Sequence, residues 1–105
     1  MANNKRNQGR EAFKISEKNF EQLVKELARV NNWLYYHTYR STHSTTGFPD
    51  CVFVRGNDLL FAELKTEKGK VSPFQQQWLD TLANTQIPVY IWRPSDYEEI
   101  CELLK

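Results

Sequence analysis

Two β-prone runs, residues 50–55 and 59–66, are separated only by Gly56-Asn57-Asp58. So short a turn leaves them one way to pair, as neighbouring antiparallel strands of a hairpin. The rest of the chain must pack around that pair. Its 105 residues are enough for one domain with a modest core.

The flanking segments carry their own signals. Ser16 predicts a cap for a helix over about 16–31. At roughly 100° per residue, Phe20, Leu23, Val24, Leu27, Ala28 and Val30 share one face of it. Residues 33–40 are aromatic and predict a strand, and residues 41–47 a Ser/Thr-rich loop. After a charged loop at 67–71, Ser72-Pro73-Phe74-Gln75 announces a helix to about residue 84. Serine is its cap, proline takes the first position, and glutamine is the capping-box partner. Residues 88–93 predict an apolar strand, and Ser95 with Glu98 a second capping box that opens a last helix to about 104. The order α-β-β-β-α-β-α fits an α/β domain whose mixed sheet is flanked by helices. Residues 1–14, rich in Asn, Lys and Arg, are expected to form a flexible basic arm, leaving 15–105 as the folded domain.

The net charge of +1 neither demands nor excludes a nucleic-acid partner. Local clusters say more: Lys5, Arg6, Arg10 and Lys14 against Glu11, and Lys65, Lys68 and Lys70 around Glu67. Each is suited to phosphates, or is simply solvated surface charge. Cys51 and Cys101 form neither a disulfide framework nor a zinc spacing, and reduced thiols in a cytoplasmic protein are expected. No apolar run approaches the ~18 residues of a membrane span. No membrane partner and no organic cofactor are expected.

Folding the hairpin over a two- or three-residue turn sets Asp50 opposite residue 64 or 65. Asp50 and Glu63 then lie within about two rungs, at ~3.3 Å per residue. Glu63 and Lys65 are two apart and share a face. A hard divalent cation takes oxygen ligands of this kind, usually one or two carboxylates with water and substrate phosphate. Such an ion activates its water and offsets charge at phosphorus, and a neighbouring lysine orients or deprotonates that water. The Leu64 carbonyl is a further candidate ligand.

A structural reading stands beside the chemical one: Asp50 capping a turn after Pro49, and Glu63 with Lys65 as an exposed ion pair. Three features weigh toward chemistry. Residues 60–65 are mostly apolar, so charges there are costly unless used or paired. Gln75 falls within the apolar arc of its helix, either serving the cap or reaching the site. Glu17 falls within the apolar arc of the first helix, as a metal or water ligand or as a partner of the helix dipole.

Taken together, Ser16-Glu17-x-x-Phe20, Ala28, Trp33, His37, Gly47-Phe48-Pro49-Asp50, Phe61-Ala62-Glu63-Leu64-Lys65, Gly69-Lys70-x-Ser72-Pro73-x-Gln75-x-x-Trp78-Leu79 and Val89-Tyr90-x-Trp92-Arg93-Pro94-x-Asp96 resemble the VRR-NUC domain of the PD-(D/E)xK nuclease superfamily. The resemblance spans about residues 16–104. It implies a restriction-endonuclease-like core, with Asp50 and Glu63 binding Mg²⁺ or Mn²⁺, Lys65 as catalytic lysine, Gln75 as the motif glutamine and Glu17 as the helix-one acid, with Glu21 one turn on. It also implies a homodimeric, structure-specific DNA endonuclease of the stand-alone bacteriophage or bacterial type, acting on branched DNA such as Holliday junctions. Asn32 departs from the glycine often found there, which should affect a turn and not the chemistry. His37, Arg40, Lys68 and Lys70 are candidates for contact with DNA, His37 alternatively as a partly buried structural histidine. Rival functions are another DNA-processing nuclease of the superfamily (restriction, recombination or end processing) or a non-catalytic DNA-binding accessory protein.

Overall fold

The computed structural model describes residues 14–38 and 45–105. The proposed arm (except Lys14), Tyr39, Arg40 and residues 41–44 lie outside the described residues. The elements are α1 (Glu17–Val30), β1 (Leu34–His37), β2 (Cys51–Arg55), β3 (Asp58–Leu64), α2 (Pro73–Ala83), β4 (Val89–Trp92), a 3₁₀ turn (Pro94–Asp96) and α3 (Tyr97–Leu104). This is the expected order, and the four strands form one mixed sheet in sequence order. β1–β2 and β2–β3 are antiparallel, and β3–β4 is parallel, with α2 making the crossover. Among the described residues, no helix is long and apolar enough to cross a membrane.

α1 begins as expected, with Ser16 Oγ accepting the Asn19 N–H at 3.1 Å. Its buried stripe is Phe20, Val24 and Ala28, narrower than expected: Leu23 and Val30 are exposed. The helix stops where Asn32 takes a left-handed φ of 65°. There the Trp33 N–H donates to Ala28 O at 2.9 Å and the Asn32 N–H to Arg29 O at 3.1 Å. That pair of bonds is a Schellman cap, and asparagine is the residue after glycine that best tolerates its left-handed position. The departure at Asn32 is thus absorbed by the turn.

One sheet face carries Cys51, Phe53, Leu60, Ala62, Leu64 and Trp92 against Phe20, Val24 and Ala28 of α1 and Ile100 and Leu104 of α3. Trp33 closes this core, its Nε1–H donating to Leu104 O at 2.8 Å. Arg55 lies 4.3 Å from the Trp33 ring centre and donates to Asn31 O and Leu104 O at 2.9 and 3.2 Å. On the other face Phe48 packs edge-on against Phe61 and against Trp78 of α2. Cys51 and Cys101 are free thiols.

Two expectations are corrected. Of the two turn lengths expected, the two-residue Gly56-Asn57 is found, with Gly56 at φ 58°, and Arg55 pairs directly with Asp58. β3 starts at Asp58, one residue before the expected run, and the pairing that follows places Asp50 one to two residues from its expected position opposite 64 or 65. The last helix is not opened by a Ser95–Glu98 box. Pro94 starts a 3₁₀ turn, and the Asp96 carboxylate accepts the Arg93 N–H at 2.9 Å.

Candidate active site

The two-residue turn decides the geometry. Cys51 pairs with Ala62, so continuing the register sets Asp50 opposite Glu63 itself, rather than opposite residue 64 or 65. The two side chains reach across the hairpin reciprocally. The Asp50 N–H donates to Glu63 Oε1 at 3.1 Å, and the Leu64 N–H donates to Asp50 Oδ2 at 2.9 Å.

The loop before Asp50 is fixed from two sides. Thr38 donates to Asp50 O and Pro49 O at 2.7 and 3.3 Å. Gly47 has φ 98°, and a Cβ there would meet the Phe74 carbonyl carbon and oxygen at 2.6 Å. The approach of this loop to the start of α2 is therefore a backbone-to-backbone contact that only glycine permits.

Glu63 is 1% exposed, the one charged residue buried in the described core. Among the described residues its Oε2 has no hydrogen-bond partner, and Lys65 Nζ stands 3.7 Å from it. Burial, then the charge and hydrogen bond of Asp50, push the Glu63 carboxyl up to about 8, while Lys65 opposes the shift. Two carboxylates in contact call for a proton or a cation between them. In the metal-free protein Glu63 holds more protons folded than unfolded between the ordinary glutamate value and about 8. Its stabilising contribution is complete below that ordinary value and is lost as pH rises through about 8. Thermal denaturation in EDTA should therefore show Tm falling across this interval, and Glu63→Gln should flatten that part of the profile.

A cleft of about 360 Å³ opens on Asp50 and Leu64, lined also by Glu17, Lys18, Glu21, His37 and Thr38. Both helix-one acids thus border it. Glu17 is exposed, whereas Glu21 is half-buried with Oε1 3.2 Å from His37 Nε2. Among the described residues, no three His, Cys, Asp or Glu side chains come close enough to hold a metal. Asp50, Glu63 and Lys65 are brought together; Glu17 borders their cleft without joining them. Gln75 is engaged in the helix cap, its Oε1 accepting the Ser72 N–H at 2.9 Å. Lys68 and Lys70 are exposed, His37 is half-buried in the cleft wall, and Arg40 lies outside the described residues.

Sequence reasoning missed the Gly47 contact with α2, the Thr38 anchor and Arg93, whose guanidinium gathers three carbonyls of the loop after Lys65. An arginine just after an apolar strand was the only local signal for the last.

The donor set suits a hard cation. It consists of oxygens alone, two of them on acids in contact, with one buried carboxylate oxygen unsatisfied. A family model, the VRR-NUC domain, matches residues 5–96, nearly the whole chain. No curated protein and no solved structure matches it. On that match the chain belongs to the VRR-NUC domain family, and carries a nuclease-type domain that processes DNA.

Proposed function

We propose that this protein is a Mg²⁺- or Mn²⁺-dependent endonuclease that hydrolyses phosphodiester bonds in branched DNA such as four-way junctions, and that it works as a homodimer. The observation that carries the chemistry is the contact of half-buried Asp50 with buried Glu63, with Lys65 beside it. Asp50, Glu63 and the Leu64 carbonyl would hold the cation. Bound there, it would lower the pKa of its water and offset the charge developing on phosphorus.

The chain's own groups do the rest. The Leu64 N–H holds Asp50 Oδ2 and the Asp50 N–H holds Glu63 Oε1, so neither acid has to be ordered when substrate arrives. Burial keeps bulk water from screening the site, and electrostatic interactions there are strengthened accordingly. Lys65 orients the attacking water or steadies a phosphate oxygen. Glu17, at the cleft rim, takes up a further water, while Glu21 is committed to His37. Gln75 acts through the helix cap and not at the reacting atoms. A two-fold dimer would set two such sites in the symmetry of a four-way junction. The setting would be the cytoplasm of a bacterium, or of a bacterium infected by phage.

The test is cleavage of a labelled four-way junction and of a matching linear duplex in Mg²⁺, Mn²⁺ or EDTA. Metal-dependent cutting with junction preferred, abolished by Asp50→Asn, is the expected result. Cutting in EDTA, or Asp50→Asn cutting as wild type does, would overturn the reading. Binding without cleavage would favour an accessory role, and equal cutting of duplex another processing role. Sedimentation at several concentrations checks the dimer.

A further inference from the structure

Lys65 is followed by a turn that closes on itself, the Gly69 N–H donating to Thr66 O at 3.1 Å. The turn is exposed at Lys68 and Lys70, yet its backbone is held from beneath. Arg93 Nη1 donates to Thr66 O at 2.7 Å, Glu67 O at 3.2 Å and Gly69 O at 2.7 Å. Arg93 follows directly on β4, whose Trp92 carbonyl accepts the Lys65 N–H at 3.0 Å. A second tie acts on the single acid of the turn: the Ser95 N–H donates to Glu67 Oε2 at 3.2 Å. Glu67 is thereby drawn back onto the 3₁₀ turn, and the exposed side chains are the two lysines.

This arrangement separates charge by role. The Arg93 cation is spent on carbonyl oxygens inside the protein, where one terminal nitrogen, Nη1, is shared among three acceptors. Lys68 and Lys70 are left for a partner outside. The Lys68 Cα lies within about 11 Å of the Lys65 Cα, since three residues span at most ~3.6 Å each. A lysine on an unrestrained loop would lose backbone as well as side-chain freedom on meeting a phosphate. On a pinned turn the backbone part is already lost.

We propose that Arg93 is a positioning residue for substrate binding: by gathering the carbonyls of Thr66, Glu67 and Gly69 it fixes the turn that presents Lys68 and Lys70 to DNA phosphates beside the Asp50–Glu63 pair. The inference rests on the nuclease reading above and adds how the strand is gripped next to the site.

The experiment measures binding of labelled duplex and junction in EDTA, so that nothing is cut, over a series of salt concentrations. Arg93→Gln is compared with the double variant Lys68→Gln/Lys70→Gln and with all three changes together. Arg93→Gln should weaken binding by on the order of tenfold and lower the slope of log affinity against log salt by about 2, as the double variant does. The triple variant should be little worse than the double. In Mg²⁺ the loss should lie in KM rather than kcat, and trypsin should cut after Lys68 and Lys70 faster in Arg93→Gln than in wild type. Should Arg93→Gln fail to fold, Arg93→Met, which keeps an unbranched side chain but has no donor for the three carbonyls, carries the same comparisons, with Tm recorded. A folded Arg93 variant with wild-type salt slope and trypsin pattern would overturn the inference, as would a loss confined to kcat or one fully additive with the lysine changes. A wild-type protein that binds no DNA would instead remove the nuclease reading itself; one that binds and cuts while Arg93 proves inert removes the inference alone.

Discussion

Glu63→Gln is expected to abolish DNA cleavage while making the metal-free protein harder to melt. Glu63 is 1% exposed, lies against Asp50 and keeps one oxygen without a hydrogen-bond partner among the described residues. A neutral amide of the same shape removes the repulsion, and its oxygen can still accept the Asp50 N–H. Cleavage should fall at least about a thousandfold, the scale on which loss of one preorganised electrostatic group acts. The Tm of the variant in EDTA should exceed that of wild type, with a gap that widens from the ordinary glutamate value up to about 8 and levels off above it, where Glu63 is ionised in folded and unfolded wild type alike. Junction cleavage and calorimetry across pH measure both. A variant that is inactive and also less stable at high pH would mean that the carboxylate is part of the scaffold and not a strained functional group.

Gly47→Ala is the second large effect expected. The added methyl would lie 2.6 Å from the Phe74 carbonyl, and the residue would have to keep φ 98°. A left-handed backbone costs a side chain roughly 1–2 kcal/mol. Forcing atoms into a packed contact costs about 1–3 kcal/mol more. Against a total stability of about 5–15 kcal/mol the sum is large, and relief requires the 47–49 loop to move away from α2. Asp50 would move with it, because Pro49 and Asp50 are tied to Thr38 as one short segment. Activity should therefore fall further than the fraction folded. Chemical denaturation and cleavage at matched folded fraction separate the two effects. A Gly47→Ala variant with wild-type stability would show that the close contact does not constrain the loop.

What could be read from the sequence was local. Ser72 and Gln75 define a capping box in four residues, and the box is there. Glu63 in an apolar run pointed to a buried charge, and the charge is buried. Sequence reasoning starts the second strand one residue late because Asp58 is a poor strand former by propensity, while pairing with Arg55 overrides propensity. Ser95 and Glu98 match a capping-box spacing, yet Pro94 and Asp96 open the turn instead, and the Ser95 amide serves Glu67. The Glu21–His37 pair, the Gly47–Phe74 contact and the Arg93 clamp join residues 16 or more positions apart. No window of neighbouring residues holds that information.

The Arg55 and Trp33 bonds to the last turn of α3 carry a mechanical consequence. They weld the C-terminal ends of the first and last helices to one another through an arginine that ends β2. The final turn of a terminal helix is where fraying ordinarily begins; here its last carbonyls are held by two side chains, so α3 should open only together with the turn that ends α1.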